Sequence, residues 1–261
     1  MIGRAIGNGF AWTRDNLARG LIAKGIRPNQ ITAAGTGLTV LAGILYALSA
    51  EHFGLSLRPS APGNLYLLLA GLVLILSAAC DMLDGAVARI ADARTPFGGF
   101  LDSTLDRVSD FAVFAGITIH YARAGNMTFA LLAMLAFFGG FMISYTRARA
   151  ENLIPECKVG YWQRGERFTA VLIGTLAYNL PAMVLQQALL PMLTALRRVL
   201  YVRAVVDGRM PAADVRAQGW RYRIRLWRWP RMSWPYDLVT GLNIAWLIFA
   251  RFAPVDVLGW L

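Results

Sequence analysis

The residues able to do chemistry crowd into one stretch of 26, residues 81–106, where four of the five aspartates stand at helical spacing. Asp81, Asp84, Gly85, Ala88 and Arg89 stand at i, i+3, i+4, i+7 and i+8, which is one face of an α-helix. Asp102 and Asp106 stand at i and i+4 on the next helical stretch. The link from Ile90 to Phe97 is short enough to make the two helices antiparallel neighbours, so the four carboxylates can converge on one pocket. Four negative charges at close range repel strongly in a low dielectric. Two divalent cations would neutralise them, and hard oxygen ligands suit Mg2+ or Mn2+ and disfavour zinc. Two cations held between carboxylates form a clamp for phosphoryl chemistry. Gly85, lacking a side chain beside two ligands, leaves room for a nucleotide, and Arg89 can fix a phosphate. No Ser-His or Cys-His constellation is present to form a covalent intermediate, so the nucleophile would be a substrate oxygen.

These aspartates close one long apolar run and open the next. An ionised carboxylate at the centre of a membrane helix costs roughly 2.5–3.5 kcal/mol, so four of them need a functional reason. The 261 residues are 57% hydrophobic and 16% charged. Soluble domains are nearer about 45–50% and about 25%. The expected fold class is therefore an all-α integral membrane protein. Apolar segments at roughly 31–50, 65–88, 99–121, 127–147, 168–195 and 238–253 predict a six-transmembrane-helix bundle. Residues 1–28 read as an N-terminal interfacial helix, followed by a membrane domain over 29–261. They contain no apolar core with a cleavage site, so no signal peptide is expected. A net charge of +11 on so apolar a chain points to an anionic bilayer surface and not to nucleic acid. Cys80 and Cys157 give neither a disulfide framework nor metal-ligand spacing. Gly35-Thr36-Gly37 reads as helix packing, and His52 and His120 as far-side interfacial residues.

Sidedness raises a conflict. The basic breaks at 89–98 and 147–167, with the basic N-terminus, define the cytoplasmic side. Residues 197–231 carry ten Arg against two Asp, a net of +8, and six spans put them on the opposite face. Trp220, Trp227, Trp229 and Trp234 give this stretch an interfacial character. The preferred resolution is an external amphipathic insert at about 197–236; the alternative is a miscounted span between about 180 and 235.

The run Asp81-x2-Asp84-Gly85-x2-Ala88-Arg89-x8-Gly98-x3-Asp102-x3-Asp106 resembles the complete signature of the CDP-alcohol phosphotransferase family, with all eight positions and their spacing intact. The resemblance implies a six-helix, homodimeric membrane enzyme that joins an alcohol to a CDP-activated partner and releases CMP. The basic breaks put that active site on the cytoplasmic face, and the plasma membrane is the expected location. The resemblance implies that Asp81, Asp84 and Asp102 ligate two divalent cations. Asp106 would be both ligand and catalytic proton acceptor, a role open to a carboxylate within reach of a hydroxyl. Gly85 and Arg89 would contact the CDP moiety. Arg27-Pro28-Asn29-Gln30-Ile31-Thr32 is similar to the Pro-Asn-x-(Leu/Ile)-Thr entry of bacterial and archaeal members. That similarity adds Asn29, Gln30, Ile31 and Thr32, with Thr95, as nucleotide contacts, although an ordinary helix start explains the same composition.

Ser144-Tyr145-Thr146-Arg147-Ala148-Arg149-Ala150-Glu151 and Val159-Gly160 through Glu166-Arg167 resemble elements of the phosphatidylinositol-phosphate synthases and their archaeal relatives. In that subgroup a basic cluster holds the phosphate of inositol phosphate. Arg147 and Arg167 match best by position, with Arg164 and Arg251 as further candidates; a positive-inside flank would also supply arginines here. Tyr161-Trp162-Gln163 is bulkier than the subgroup's usual entry, and the 197–236 insert lies outside its pattern. The expected reaction moves the phosphatidyl group of CDP-diacylglycerol, or an ether analogue, to inositol phosphate. Glycerol 3-phosphate, serine or inositol are rival acceptors. An Asp-lined cation transporter and a basic membrane scaffold are rivals of another class.

Overall fold

The computed structural model describes residues 2–50, 64–210, 220–227 and 229–260; the side chains of residues 2–10, 222 and 260 lie outside that description. His52 and the centre of the insert, with Asp214, also lie outside it. Every regular element among the described residues is helical: α1 (Ile2–Ala23), α2 (Pro28–Leu48), α3 (Leu65–Ile90), α4 (Pro96–Arg123), α5 (Met127–Ala150), α6 (Arg164–Leu176), α7 (Leu180–Val206), α8 (Trp220–Leu226) and α9 (Trp234–Phe249), then a 3-10 turn at Leu258–Trp260.

Short polar residues start the helices. Asn64, Thr95 and Asn126 each accept a backbone N–H from the first turn of α3, α4 and α5, at 3.2, 2.9 and 2.9 Å. Pro28 and Pro96 occupy the first helical position, where a missing N–H has no cost. Inside the bundle, small residues bring helices together. A Cβ on Gly43 would lie 2.3 Å from the carbonyl oxygen of Ala112, and one on Gly116 would lie 2.0 Å from that of Gly43, so α2 and α4 touch backbone to backbone only because both are glycine. Gly35 packs likewise, its Cβ position 3.0 Å from Cys80 Cβ, whereas Gly37 faces open space.

The chain is a membrane protein: α2, α3 and α5 are each long and apolar enough to cross a bilayer. The expected single span at 168–195 is instead two helices. Tyr178 takes a left-handed conformation, with φ at +51°, and Pro181 follows. The Asn179 side chain donates to the carbonyls of Leu247 and Ala250 at 2.8 and 3.0 Å, anchoring the turn to the end of α9. Helix α7 therefore runs back toward the end where α6 began. The 168–195 stretch thus supplies parts of both α6 and α7 in place of one span. This reversal favours the alternative, a miscounted span between about 180 and 235, over the external insert. Its described flanks sit at the aspartate end of the bundle, where Gly160 N–H donates to Leu226 at 2.9 Å and Arg231 pairs with Glu166 at 2.8 Å. The basic 197–231 stretch thus starts and ends on the side of the other basic breaks, and the charge conflict disappears. His120 is buried at the opposite end, its Nδ1 2.7 Å from Ser49 Oγ, and is not an interfacial residue.

Candidate metal and nucleotide site

The short 91–95 link reverses the chain, but α3 and α4 are not the direct neighbours expected: both pack on α2 and scarcely on each other. One carboxylate oxygen from each of Asp81, Asp102 and Asp106 lies within 4.8 Å of the others. Asp84 does not join that trio. It is buried and accepts a hydrogen bond from Thr32 Oγ1 at 2.7 Å, yet shares a small recess with Asp81 and Asp106. The four expected ligands are therefore three in a cluster and one beside it.

Arg164, from the first turn of α6, spans the trio: Nη1 is 2.8 Å from Asp81 Oδ1 and Nη2 is 2.5 Å from Asp106 Oδ1. Arg107 also stands 4.0 Å from Asp106, so the trio and Asp84 set four carboxylates against two guanidiniums, a deficit of two. Such a deficit at partly buried positions calls for a cation, and an all-oxygen donor set selects a hard one. The trio is suited to hold a divalent metal ion.

Beside Asp84 and Asp102 opens a cleft of about 300 Å3, walled by Asn29, Thr32, Gly85, Arg94, Thr95 and Gly98. No atom lies within 4 Å of a Cβ built on Gly85, so the space expected there exists. Three other sequence candidates do not face it. Gln30 Oε1 accepts the Arg27 N–H at 2.8 Å, closing the start of α2. Ile31 is buried against Ala18, Ala86 and Val87. Arg89 leans away to Asp15 of α1, at 3.0 Å. The hydrogen bond from Arg14 holds the Asp15 carboxyl below the usual range, despite some desolvation, and the Arg89 charge adds to this. Arg94, which sequence reasoning passed over, lines the cleft instead.

On the other flank of the aspartates, Arg167 is buried and its Nη2 lies 3.2 Å from Asp110 Oδ2. Arg107 stands 3.6 Å from Asp110 and 4.0 Å from Asp106, and donates to Ser144. Asp81, Asp110, Arg164, Arg167 and Arg231 all border one cavity of about 490 Å3 with an apolar floor that includes Val113 and Phe114. Sequence reasoning missed Asp110 and Arg107, although Asp110 continues the Asp102/Asp106 face by one more step of four. It also missed Arg198, which is fully buried and donates to Val159, Ile143 and Gln163, bracing the turn before α6. An arginine inside the apolar 180–206 run was the available signal. Arg147 stays on its own helix, paired with Glu151 at 2.9 Å. Arg251 cannot complete the cluster. It donates to the Tyr178 carbonyl at 3.3 Å, beyond the far end of α6 from Arg164, because α9 runs away from the aspartates.

The sequence profile of the CDP-alcohol phosphatidyltransferase family matches residues 26–206, which takes in α2 to α7. The archaetidylinositol phosphate synthase of Methanothermobacter thermautotrophicus is 45% identical over 136 residues, covering 50% of this chain and 67% of the relative. That of Pyrococcus horikoshii is 33% identical over 186 residues, covering 71% and 88%. Among solved structures, Mycobacterium tuberculosis phosphatidylinositol phosphate synthase with CDP-DAG bound superposes with a TM-score of 0.62 at 27% identity, covering 72% of this chain and 92% of that one. The same enzyme in complex with manganese and citrate gives 0.62 at 27%, covering 81% and 98%.

Proposed function

The chain belongs to the CDP-alcohol phosphatidyltransferase family, and on that footing we propose that it transfers the phosphatidyl group of CDP-diacylglycerol, or an ether-lipid analogue, to a hydroxyl of inositol phosphate. The observation that carries the reading is the trio Asp81, Asp102 and Asp106 set between a nucleotide-sized cleft and an arginine-lined cavity. Two divalent cations, Mg2+ or Mn2+, held by the trio and Asp84 would polarise the pyrophosphate and stabilise the charge on the departing CMP.

The chain's own residues do the rest. Asn29, Gly85, Arg94 and Thr95 line the space for the cytidine nucleotide, and Thr32 orients the Asp84 carboxylate for it. Arg164 and Arg167 hold the acceptor's phosphate, to which a planar guanidinium can give two parallel hydrogen bonds. Asp106 accepts the proton of the attacking hydroxyl. The new bond joins that oxygen to the lipid-side phosphorus as the bond to CMP breaks, and CMP leaves with the electron pair. The apolar helices place this reaction at a bilayer surface; the reading takes that surface as the cytoplasmic face of the plasma membrane, α1 as an interfacial helix, and 29–261 as the catalytic membrane domain of a homodimer.

The test is lipid product formation by the purified protein with CDP-diacylglycerol and a panel of acceptors, scored by mass spectrometry. Phosphatidylinositol phosphate and CMP should form, should cease with a chelator and should return with Mg2+ or Mn2+. Product from glycerol 3-phosphate, serine or free inositol alone would replace the acceptor. No CMP release under any metal would defeat the transferase reading in favour of a transporter or scaffold.

A further inference from the structure

Glu166 is the one residue between Arg164 and Arg167 that carries a charge of the opposite sign, and its side chain is 7% exposed. It lines a cavity with Tyr161, Arg231 and Tyr236 that none of the aspartates borders. Its Oε1 accepts three donors from the chain beyond the family match: Arg231 Nε at 3.0 Å, Arg231 Nη2 at 2.8 Å and the Tyr236 hydroxyl at 2.6 Å. Arg231 also lies across the first turn of α6, with Nη2 3.2 Å from where a Cβ on Gly165 would be. A helix's first turn has free N–H groups and few internal bonds, so its orientation depends on outside contacts. Here the residue before α6, Gln163, makes no side-chain cap bond to it.

We propose that Arg231 and Tyr236 are positioning residues for the acceptor side of the site: they grip Glu166 and so fix the rotation of α6 that aims Arg164 at Asp81 and Asp106, and Arg167 at Asp110. The family-matched core, residues 26–206, ends before either residue. The C-terminal segment thereby becomes part of the active-site framework and not an appendage. Charge-assisted bonds to a buried carboxylate are strong enough to do this, and a rotation of one helix turn by a few degrees moves an arginine tip far more than its backbone. The inference rests on the acceptor role given above to Arg164 and Arg167.

The test compares wild type, Arg231→Ala, Arg231→Lys, Tyr236→Phe and Glu166→Gln as full chains in detergent with CDP-diacylglycerol. Arg231→Ala and Glu166→Gln should raise the KM for inositol phosphate about tenfold, the KM for CDP-diacylglycerol staying within about twofold. Arg231→Lys should recover part of the loss. Tyr236→Phe should fall between wild type and Arg231→Ala. An unchanged acceptor KM, or equal rises in both KM values, overturns the proposal. Hydrogen exchange over residues 164–168 supplies a readout independent of turnover: it should quicken in Arg231→Ala while residues 81–89 are unaffected. Unchanged exchange at 164–168 overturns the clamp even if inositol phosphate is the wrong acceptor, whereas absent product from wild type overturns only the acceptor.

Discussion

Asp106→Asn isolates the proton-accepting role from the architecture around it. Asn is nearly isosteric, and its amide oxygen can stay beside Arg164 Nη2, which now lies 2.5 Å from Asp106 Oδ1. The substitution removes one negative charge from a cluster with a deficit of two, so repulsion falls and folding should not suffer. It does remove the base. Loss of a positioned general base lowers turnover by about 10²–10⁴-fold. That corresponds to roughly 3–5 kcal/mol of transition-state stabilisation. A ligand charge goes as well, so the metal requirement should shift to higher concentrations. The assay is CMP release at saturating CDP-diacylglycerol and inositol phosphate across a Mn2+ titration, with thermal unfolding of the same samples. The expected result is a kcat at least a hundredfold down at saturating metal, with an unfolding midpoint equal to or above wild type in chelator. A kcat within a few-fold of wild type at saturating metal would refute the base assignment. A collapse in the unfolding midpoint would refute the charge argument.

Other expectations follow from the same geometry. Arg167→Ala should raise the KM for inositol phosphate by about ten- to a hundredfold, well beyond any change for CDP-diacylglycerol, since a charge-assisted pair is lost on one substrate only; equal changes would remove Arg167 from the acceptor site. Gly85→Ala and Gly43→Ala should separate function from packing. The first adds a methyl to open cleft space and should weaken CDP-diacylglycerol binding with the unfolding midpoint unchanged. The second drives a methyl to 2.3 Å from the Ala112 carbonyl and should cost about 1–3 kcal/mol of stability by thermal or denaturant unfolding. Thr32→Val strips the hydroxyl that Asp84 accepts at 2.7 Å and should raise the Mn2+ concentration giving half-maximal CMP release several-fold, as loss of a metal site's supporting bonds does; an unchanged midpoint would take Asp84 out of the metal set.

Much of the site was legible before any coordinates. Helical spacing put Asp81 with Asp84 and Asp102 with Asp106, and the short link reversed the chain between the pairs, although it is α2 on which both helices pack. Hydropathy identified the runs that became α2 to α5, because a helix apolar all round has few places to go except a bilayer. It failed at 168–195. A continuous apolar run does not report a reversal, and the break at Tyr178 to Pro181 is too short to interrupt it. That single miss inverted the side of the basic insert. The candidate arginines could not be told apart for a related reason: Arg147, Arg164, Arg167 and Arg251 share a charge and a helical setting, and only their partners differ.

Sequence alone determined which residues share a helix face and that the aspartates need a cation, since both follow from local periodicity and charge. Tertiary structure decided who meets them. Arg164 reaches Asp81 across 83 residues and Arg231 reaches Glu166 across 65. Those meetings depend on where α6 turns into α7 and on the side to which α9 returns. Side-chain partners so far apart in the chain are set by how helices pack, and no local pattern of residues carries that information.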